Sequence, residues 1–150
     1  MNDMDRKLLR VLQDEGRITN QALANQCGLS PAACFDRLKR LRASGIIRGF
    51  TALLDPAKLG RTLMVFVEVH LDRTNDDVFA AFAAHVSRIP DVLECHMVAG
   101  GFDYLLKVRV PDMGAYSAFL GGTLMAIPGI RETRTYAVLE EVKSTTILPI

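Results

Sequence analysis

Two arginines one helical turn apart are the residues of this sequence with the clearest capacity for molecular recognition. Arg37 and Arg40 lie in the run 31–42, and a guanidinium group can pair with O6 and N7 of guanine or with a phosphate. Ala32 and Ala33, near the start of the same run, are small enough to let it approach a surface closely. The alternative to such a recognition surface is that these residues form only the basic, solvated face of an ordinary amphipathic helix.

The residues around the two arginines predict two short helices joined by a tight turn. Thr19 and Ser30 are residue types that accept hydrogen bonds from the first N–H groups of a helix. Pro31 suits the first helical position, and Gly28 suits the left-handed residue that follows a helix. With a further helix predicted over residues 5–14, the pattern is that of a helix-turn-helix.

This arrangement favours an interface for double-stranded DNA over the plain solvated face. Residues 1–60 hold ten Lys/Arg against six Asp/Glu, whereas residues 61–150 hold eight against eleven, so the first part of the chain is basic. The residues that we predict at the DNA interface are Thr19, Asn20, Ser30, Ala32, Ala33, Asp36, Arg37, Lys39, Arg40 and Arg48.

The chain is predicted to form two domains, 1–60 and 61–150. The β-branched and aromatic run 46–54 predicts a strand, which would make the helix-turn-helix a winged one. Residues 55–60 have the composition of a connector. Asp3 or Asp5 is expected to open the first helix, and residues 140–150 are expected to extend a sheet or to pack against a partner chain. The second domain is predicted to contain strands over 63–71, 92–98, 103–110 and 130–138, with helices over 75–88 (capped by Asn75) and after Pro111.

The order of these elements is βαββαβ, which predicts a ferredoxin-like sheet and an α+β protein. In the first helix of this domain the apolar residues expected to face the sheet include Ala83, and in the second they include Met113. Gly121 and Gly122 are expected to weaken or bend the second helix, since glycine costs about 1 kcal/mol relative to alanine in a helix interior.

The turn between the second and third predicted strands also has residues that could bind a small molecule. Gly100 and Gly101 expose backbone N–H groups, which can hold a carboxylate, and Asp103 could bind an ammonium group. Together they would suit a free α-amino acid. The same glycines also suit a plain hairpin that requires positive φ, so both explanations stay open from spacing alone.

The sequence contains none of the common enzyme motifs: no G-x-G-x-x-G, P-loop, H-E-x-x-H or G-x-S-x-G. Cys95 and His96 would point to opposite faces of a strand, and His70 and His85 have no partner at ligand spacing. We therefore predict no enzyme activity, no metal and no cofactor. Three widely spaced cysteines, with no apolar signal or spanning segment, predict a cytoplasmic protein that does not enter a membrane.

Several short motifs follow one another in a specific order from about residue 3 to residue 145. They include Gly28-Leu29-Ser30-Pro31, Arg37-Leu38-Lys39-Arg40-Leu41, Gly45-Ile46-Ile47, Phe102-Asp103-Tyr104-Leu105-Leu106-Lys107 and Thr133-Arg134-Thr135-Tyr136. In this order they resemble the Lrp/AsnC family of transcription regulators, and most of all its leucine-responsive branch. The resemblance implies a nucleoid-associated regulator with an N-terminal winged helix-turn-helix and a C-terminal domain that binds an effector.

The resemblance also implies dimers that pair through the C-terminal sheets, commonly assembled into octamers, and a free amino acid as effector. Leucine, methionine or another hydrophobic amino acid is favoured. The effector-binding residues that it implies by position are Met97, Gly100, Gly101, Asp103, Tyr104, Met113, Thr135, Tyr136, Ala137 and Val138. The family usually has Gly-Asp where this chain has Gly100-Gly101, so the turn lacks one carboxylate. The alternative from another class is an amino-acid-binding regulatory subunit of a metabolic enzyme, against which the basic N-terminal part argues.

Overall fold

The chain divides into two units, each with its own hydrophobic core. The structure, a computed structural model, describes residues 1–73 and 77–150. One unit contains Met1–Leu53 together with Lys143–Ile150, and the other contains Leu54–Val142. The expectation that the functions of the protein divide at about residue 60 stays a prediction.

Three helices form the first unit, and the capping residues predicted their arrangement. They are α1 (Asp3–Asp14), α2 (Asn20–Cys27) and α3 (Pro31–Ala43). The Thr19 hydroxyl accepts a hydrogen bond from the Ala22 N–H at 3.2 Å, and the Ser30 hydroxyl accepts one from the Ala33 N–H at 3.2 Å. Gly28 ends α2 in the left-handed conformation, with φ of 73°. The helix-turn-helix is therefore confirmed.

The prediction of a strand over residues 46–54 is wrong, because residues 46–62 contain no strand. A strand requires a neighbour that completes its backbone hydrogen bonds. The first unit, where the structure describes it, offers no strand to pair with this segment. Phe50 and Leu53 are consequently exposed to solvent.

Residues Lys143–Ile150 pack within the first unit and do not extend the sheet. The amide of Gln13 forms two hydrogen bonds with the backbone of Leu148. Its Nε2 donates to the Leu148 carbonyl oxygen at 3.0 Å, and its Oε1 accepts from the Leu148 N–H at 2.7 Å. Arg10 donates to the carbonyl oxygen of Ile150. This segment is thus fixed to α1 by side chains that pair with its backbone.

The second unit is a four-stranded antiparallel sheet with helices on one face. Its strands are β1 (Leu63–Leu71), β2 (Val92–Met97), β3 (Tyr104–Val110) and β4 (Ile130–Ala137), in the order β2-β3-β1-β4. Its helices are α4 (Val78–Val86) and α5 (Met113–Phe119), the latter continued by a π-helical turn over Leu120–Leu124. The βαββαβ order is therefore confirmed, and the predicted disturbance at Gly121 and Gly122 takes the form of this π-helical turn.

Alternation along β1 determines which face of the sheet the helices cover. Val65, Val67 and Val69 are fully buried in the core of this unit, whereas the residues between them are only half-buried on the open face. Ala83 and Met113, expected to face the sheet, are exposed instead. The cap predicted at Asn75 lies outside the described residues.

Candidate functional site

A buried carboxylate on α1 pairs with two of the three arginines of α3, Arg37 and Arg40. Asp5 is only 4% exposed, and its Oδ1 accepts hydrogen bonds from Arg37 Nη1 at 2.9 Å and from Arg40 Nη2 at 3.2 Å. The Arg37 side chain is 26% exposed and that of Arg40 is 62% exposed. Arg37 is thus engaged mainly within the protein, while Arg40 stays largely accessible.

Asp5 also belongs to the cap of α1. Asn2, not Asp3 or Asp5, is the capping residue: its side-chain oxygen accepts from the Asp5 N–H at 2.9 Å, and Asp5 Oδ2 accepts from the Asn2 N–H at 3.1 Å. This is a capping box, formed here by Asn and Asp. Burial acts to raise the pKa of Asp5, but the Asn2 N–H and the two guanidinium groups together bring this pKa below its usual value. The carboxylate is therefore ionised.

The outer face of α3 presents several of the other residues predicted at the DNA interface. Ala32, Asp36 and Lys39 are exposed there, and Ala33 is half-buried. Phe35, which the sequence reasoning missed, is 59% exposed on the same helix. Its position between the polar residues of the outer face was the signal that could have found it.

The remaining predicted DNA-contacting residues lie at the helix starts and after α3. Thr19 and Ser30 are exposed and cap α2 and α3. The Asn20 amide nitrogen donates to the Pro31 carbonyl oxygen at 2.9 Å, which joins the starts of the two helices. Arg48 is exposed in the irregular segment that replaces the expected strand. The start of α2, α3 and the segment after it are therefore neighbours in the first unit, where Asn20, Lys39 and Phe50 line one cleft.

In the second unit, the glycine turn lines a cleft of about 410 Å³. Gly100, Gly101 and Asp103 lie there, and the other lining residues are His70, Leu71, Asp72, Arg73, Phe102 and Arg131. Neither glycine has positive φ, and a Cβ atom at either position would meet nothing within 4 Å. A hairpin that requires positive φ therefore does not explain these two glycines.

Asp103 is buried and already bonded on both carboxylate oxygens. Its Oδ2 accepts from the Leu71 N–H at 2.8 Å, and its Oδ1 accepts from Arg73 Nη2 at 2.7 Å. The Leu71 N–H lowers the pKa of Asp103, burial opposes this, and Arg73 and His70 lower the pKa further. An ammonium group could approach this carboxylate only in competition with Arg73.

The other residues implied as effector-binding lie outside this cleft. Thr135 and Ala137 are on the helix side of β4, and because neighbours on a strand alternate, Tyr136 is on the open face. The Tyr136 hydroxyl donates to Glu68 Oε1 at 3.0 Å. Tyr104 is buried in the core, whereas Met97 and Met113 are exposed, and Val138 follows β4. A single chain thus brings together only the turn and Asp103 from the implied set.

Arg73 and Arg131 are cleft residues that sequence reasoning missed. Arg73 follows the end of β1, which is antiparallel to β3, and the start of β3 is next to Asp103. The strand order therefore places opposite charges together at this edge of the sheet. A search for charged residues at paired strand ends could have found the contact.

Two family models match the chain. The Lrp/AsnC ligand binding domain matches residues 64–148, and a winged helix-turn-helix DNA-binding model matches residues 1–48. The chain belongs to the Lrp/AsnC family. Like its relatives in this family, it is a DNA-binding transcriptional regulator with a ligand-binding domain, and it is not an enzyme.

Relatives in the Lrp/AsnC family match along the whole chain. The leucine-responsive regulatory protein of Salmonella typhimurium is 50% identical over 150 residues, covering all of this chain and 92% of that protein. The leucine-responsive regulatory protein of Escherichia coli K12 is 49% identical over the same span, with the same coverage of both proteins.

Solved structures of Lrp/AsnC regulators have the same fold. A transcriptional regulator from Neisseria meningitidis, in complex with L-Met, superposes with a TM-score of 0.95 at 40% identity, covering 99% of this chain and 96% of that one. AsnC of E. coli superposes with a TM-score of 0.91 at 27% identity, covering 99% of both chains. Among the described residues of this chain, no helix is long and apolar enough to cross a membrane, and no group of three or more His, Cys, Asp or Glu residues could hold a metal ion.

Proposed function

We propose that this Lrp/AsnC regulator binds a free hydrophobic amino acid, with leucine or methionine favoured, and that the bound amino acid changes its affinity for DNA. The observation that carries this proposal is the cleft of the second unit. There the glycine turn meets the buried carboxylate of Asp103 and the guanidinium groups of Arg73 and Arg131. Backbone N–H groups and both signs of charge suit the charged end of an α-amino acid.

The relatives support the same choice of ligand. The Neisseria regulator was solved with L-Met, and two relatives at about half identity are named leucine-responsive. We propose that Met97, Met113, Thr135, Tyr136, Ala137 and Val138 complete the site only when a second copy of the chain is present, since one chain leaves them outside the cleft. No cofactor other than this amino acid is proposed.

Thermal unfolding of the full chain with each of the twenty amino acids tests the effector. A ligand at one hundred times its Kd stabilises the folded protein by about 2.7 kcal/mol, so leucine or methionine is expected to raise the midpoint clearly. Gly101→Asp restores the carboxylate that the family usually carries there and is expected to change which amino acid stabilises most. Stabilisation by none of the twenty would contradict the proposal.

We further propose that α3 enters the major groove of double-stranded DNA. The residues that would face the bases or the groove walls are Ala32, Ala33, Asp36, Lys39 and Arg40. Those that would contact the DNA backbone and so position the protein on it are Thr19, Asn20, Ser30 and Arg48. Arg37 is assigned a supporting part, because its guanidinium is bonded to Asp5. A twofold dimer would prefer a pseudo-palindromic site with half-sites about one helical turn apart. The winged helix-turn-helix match favours this regulator over a regulatory subunit of an enzyme.

Salt dependence tests the DNA interface directly. Neutralised phosphates release counterions, so the affinity is expected to fall steeply with salt, with a slope near −0.9 for each phosphate contacted. Lys39→Ala and Arg48→Ala are each expected to make this slope shallower by about 0.9 if they contact a phosphate. Asp55→Ala, in the connector, is the control. Unchanged slopes for both variants would remove these two residues from the interface.

We propose that the chain dimerises through the open face of its sheet and assembles further, with an octamer favoured. This face carries Phe66 and Leu105, half-buried and without a helix above them. Light scattering across a concentration series tests the assembly, and a monomer at all concentrations would contradict it. With DNA as its partner, we propose that the regulator works in the cytoplasm, at the nucleoid.

A further inference from the structure

The carboxylate of Asp5 restrains two side chains of α3 at the same time. Its Oδ1 accepts from Arg37 Nη1 at 2.9 Å and from Arg40 Nη2 at 3.2 Å, while Oδ2 accepts from the Asn2 N–H at 3.1 Å. Arg37 Nη1 also donates to Asn2 Oδ1 at 3.4 Å. The Asp5 carboxylate and the Asn2 side-chain oxygen are thus bonded both within the cap of α1 and to arginines of α3.

The burial of Asp5 favours this pairing. A buried carboxylate is strongly disfavoured unless it is paired and hydrogen-bonded, so Asp5 holds its partners in place. Arg40 differs from an ordinary exposed arginine, because one of its terminal nitrogens is bonded to Asp5 although most of the side chain faces solvent. Its guanidinium is therefore oriented before it meets any ligand.

Orientation of this kind affects specificity more than affinity. A free arginine on a DNA-binding surface can contact any phosphate, which contributes to affinity for every sequence alike. An arginine held in one orientation is suited to a defined position, such as the O6 and N7 edge of a guanine, and loses less conformational freedom on binding. The negative charge of Asp5 also offsets part of the positive charge of α3.

We propose that Asp5 is a positioning residue for DNA recognition. It orients Arg37 and Arg40 along α3 and limits their non-specific contacts with the phosphates of DNA of any sequence. This inference rests on the proposed docking of α3 on DNA. Asp5 itself does not touch DNA. It acts through the two guanidinium groups that it binds.

The test compares Asp5→Asn with Asp3→Asn in the full chain. Asp3 lies in the same first turn, is exposed, and forms no ion pair among the residues that the structure describes, so its substitution makes the same change in charge and in helix-dipole interaction. The probes are a duplex that the wild-type protein selects from a randomised pool, and poly(dI-dC) as arbitrary sequence. The specificity ratio is the ratio of the two affinities.

Asp5→Asn is expected to lower the specificity ratio by about tenfold, within the range that one oriented arginine–guanine pair provides. Its binding to poly(dI-dC) is expected to be at least as tight as that of Asp3→Asn, with a salt slope steeper by about 0.9 for one added phosphate contact. In the Arg40→Gln background the loss of specificity is expected to shrink, since the residue through which Asp5 acts is then absent. A purely structural effect would not depend on Arg40 in this way.

Equal specificity ratios for Asp5→Asn and Asp3→Asn would overturn the inference, as would an undiminished loss in the Arg40→Gln background. If Asp5→Asn does not fold, Arg37→Lys replaces it, because lysine keeps the charge but its compact ammonium lacks the fixed planar geometry of the guanidinium that Asp5 binds. Arg37→Lys is expected to lower the ratio several-fold, and an unchanged ratio overturns the inference. If the wild-type protein selects no duplex, the proposed docking of α3 on DNA is itself contradicted. An unchanged specificity ratio, by contrast, contradicts only the positioning role of Asp5.

Discussion

Replacement of Asp103 tests how the edge of the cleft is held together. In Asp103→Ala, the buried N–H of Leu71 loses its acceptor, which costs about 1–3 kcal/mol, and the ion pair with Arg73 is also lost. That ion pair is worth about 1 kcal/mol or less, because the Arg73 side chain is largely exposed. The total destabilisation expected for Asp103→Ala is therefore about 1–4 kcal/mol.

Asp103→Asn separates the two contributions. An asparagine oxygen can still accept from the Leu71 N–H, so only the ion pair is lost and the expected cost is about 1 kcal/mol. Arg73→Gln is the matched control, with an expected cost of about 1 kcal/mol from the same lost pair. Urea unfolding followed by circular dichroism measures the three variants, and hydrogen exchange at the β1 amides reports on this unit alone.

The pH dependence of the same variants gives an independent check. The folded-state pKa of Asp103 lies below its ordinary value of 3.8, so its stabilising contribution is present above that pH and is lost as the pH falls further. The difference in stability between the wild-type protein and Asp103→Asn is thus expected to be constant near neutral pH and to shrink below about pH 3.8. If Asp103→Asn destabilises the protein as much as Asp103→Ala does, the two contributions are not those described above. The same holds if Arg73→Gln destabilises the protein as much as Asp103→Ala.

Other substitutions test the packing and the helix ends. Phe82→Ala is expected to destabilise the second unit by about 3–5 kcal/mol in urea, because the fully buried ring packs against the ring of Tyr104, with centroids 4.7 Å apart. A cost below about 1 kcal/mol would contradict this core. Gly28→Ala is expected to cost about 1 kcal/mol in thermal unfolding, since φ is positive there, whereas Gly121→Ala, at a helical position with open space around it, is expected to be neutral or slightly stabilising. Equal effects of the two would refute the conformational argument. Ser30→Ala is expected to cost about 1 kcal/mol by removing the cap of α3, and an unchanged midpoint would show that this hydrogen bond contributes nothing.

The helix-turn-helix could be predicted because its determinants are local. Thr19 and Ser30 each bond to an N–H three residues away, and Gly28 adopts its left-handed conformation without help from distant residues. The βαββαβ order was likewise readable from alternation along the chain, since Val65, Val67 and Val69 repeat with the period of a strand.

The contacts that shape the candidate sites depend on residues far apart in sequence, and periodicity carries no information about them. Asp5 and Arg37 are separated by 32 positions, and Asp103 and Arg73 by 30. The strand expected over residues 46–54 failed for a related reason, because its composition suits a strand but a strand also requires a partner. Residue type therefore identified Arg37, Arg40 and Asp103 without identifying their partners, and Arg73 and Arg131 were missed altogether.

The hydrogen bonds between Gln13 and Leu148 have a consequence for the order in which parts of the protein fold during synthesis. The first unit consists of two stretches separated in sequence by the whole of Leu54–Val142. During synthesis the three helices can emerge and pack early, because their core residues all precede this insertion. Gln13 and Arg10 must then wait until the sheet has left the ribosome before their backbone partners exist. The DNA-binding unit can therefore begin to fold before the second unit is made, but its contacts from Arg10 and Gln13 form only after the second unit has been made.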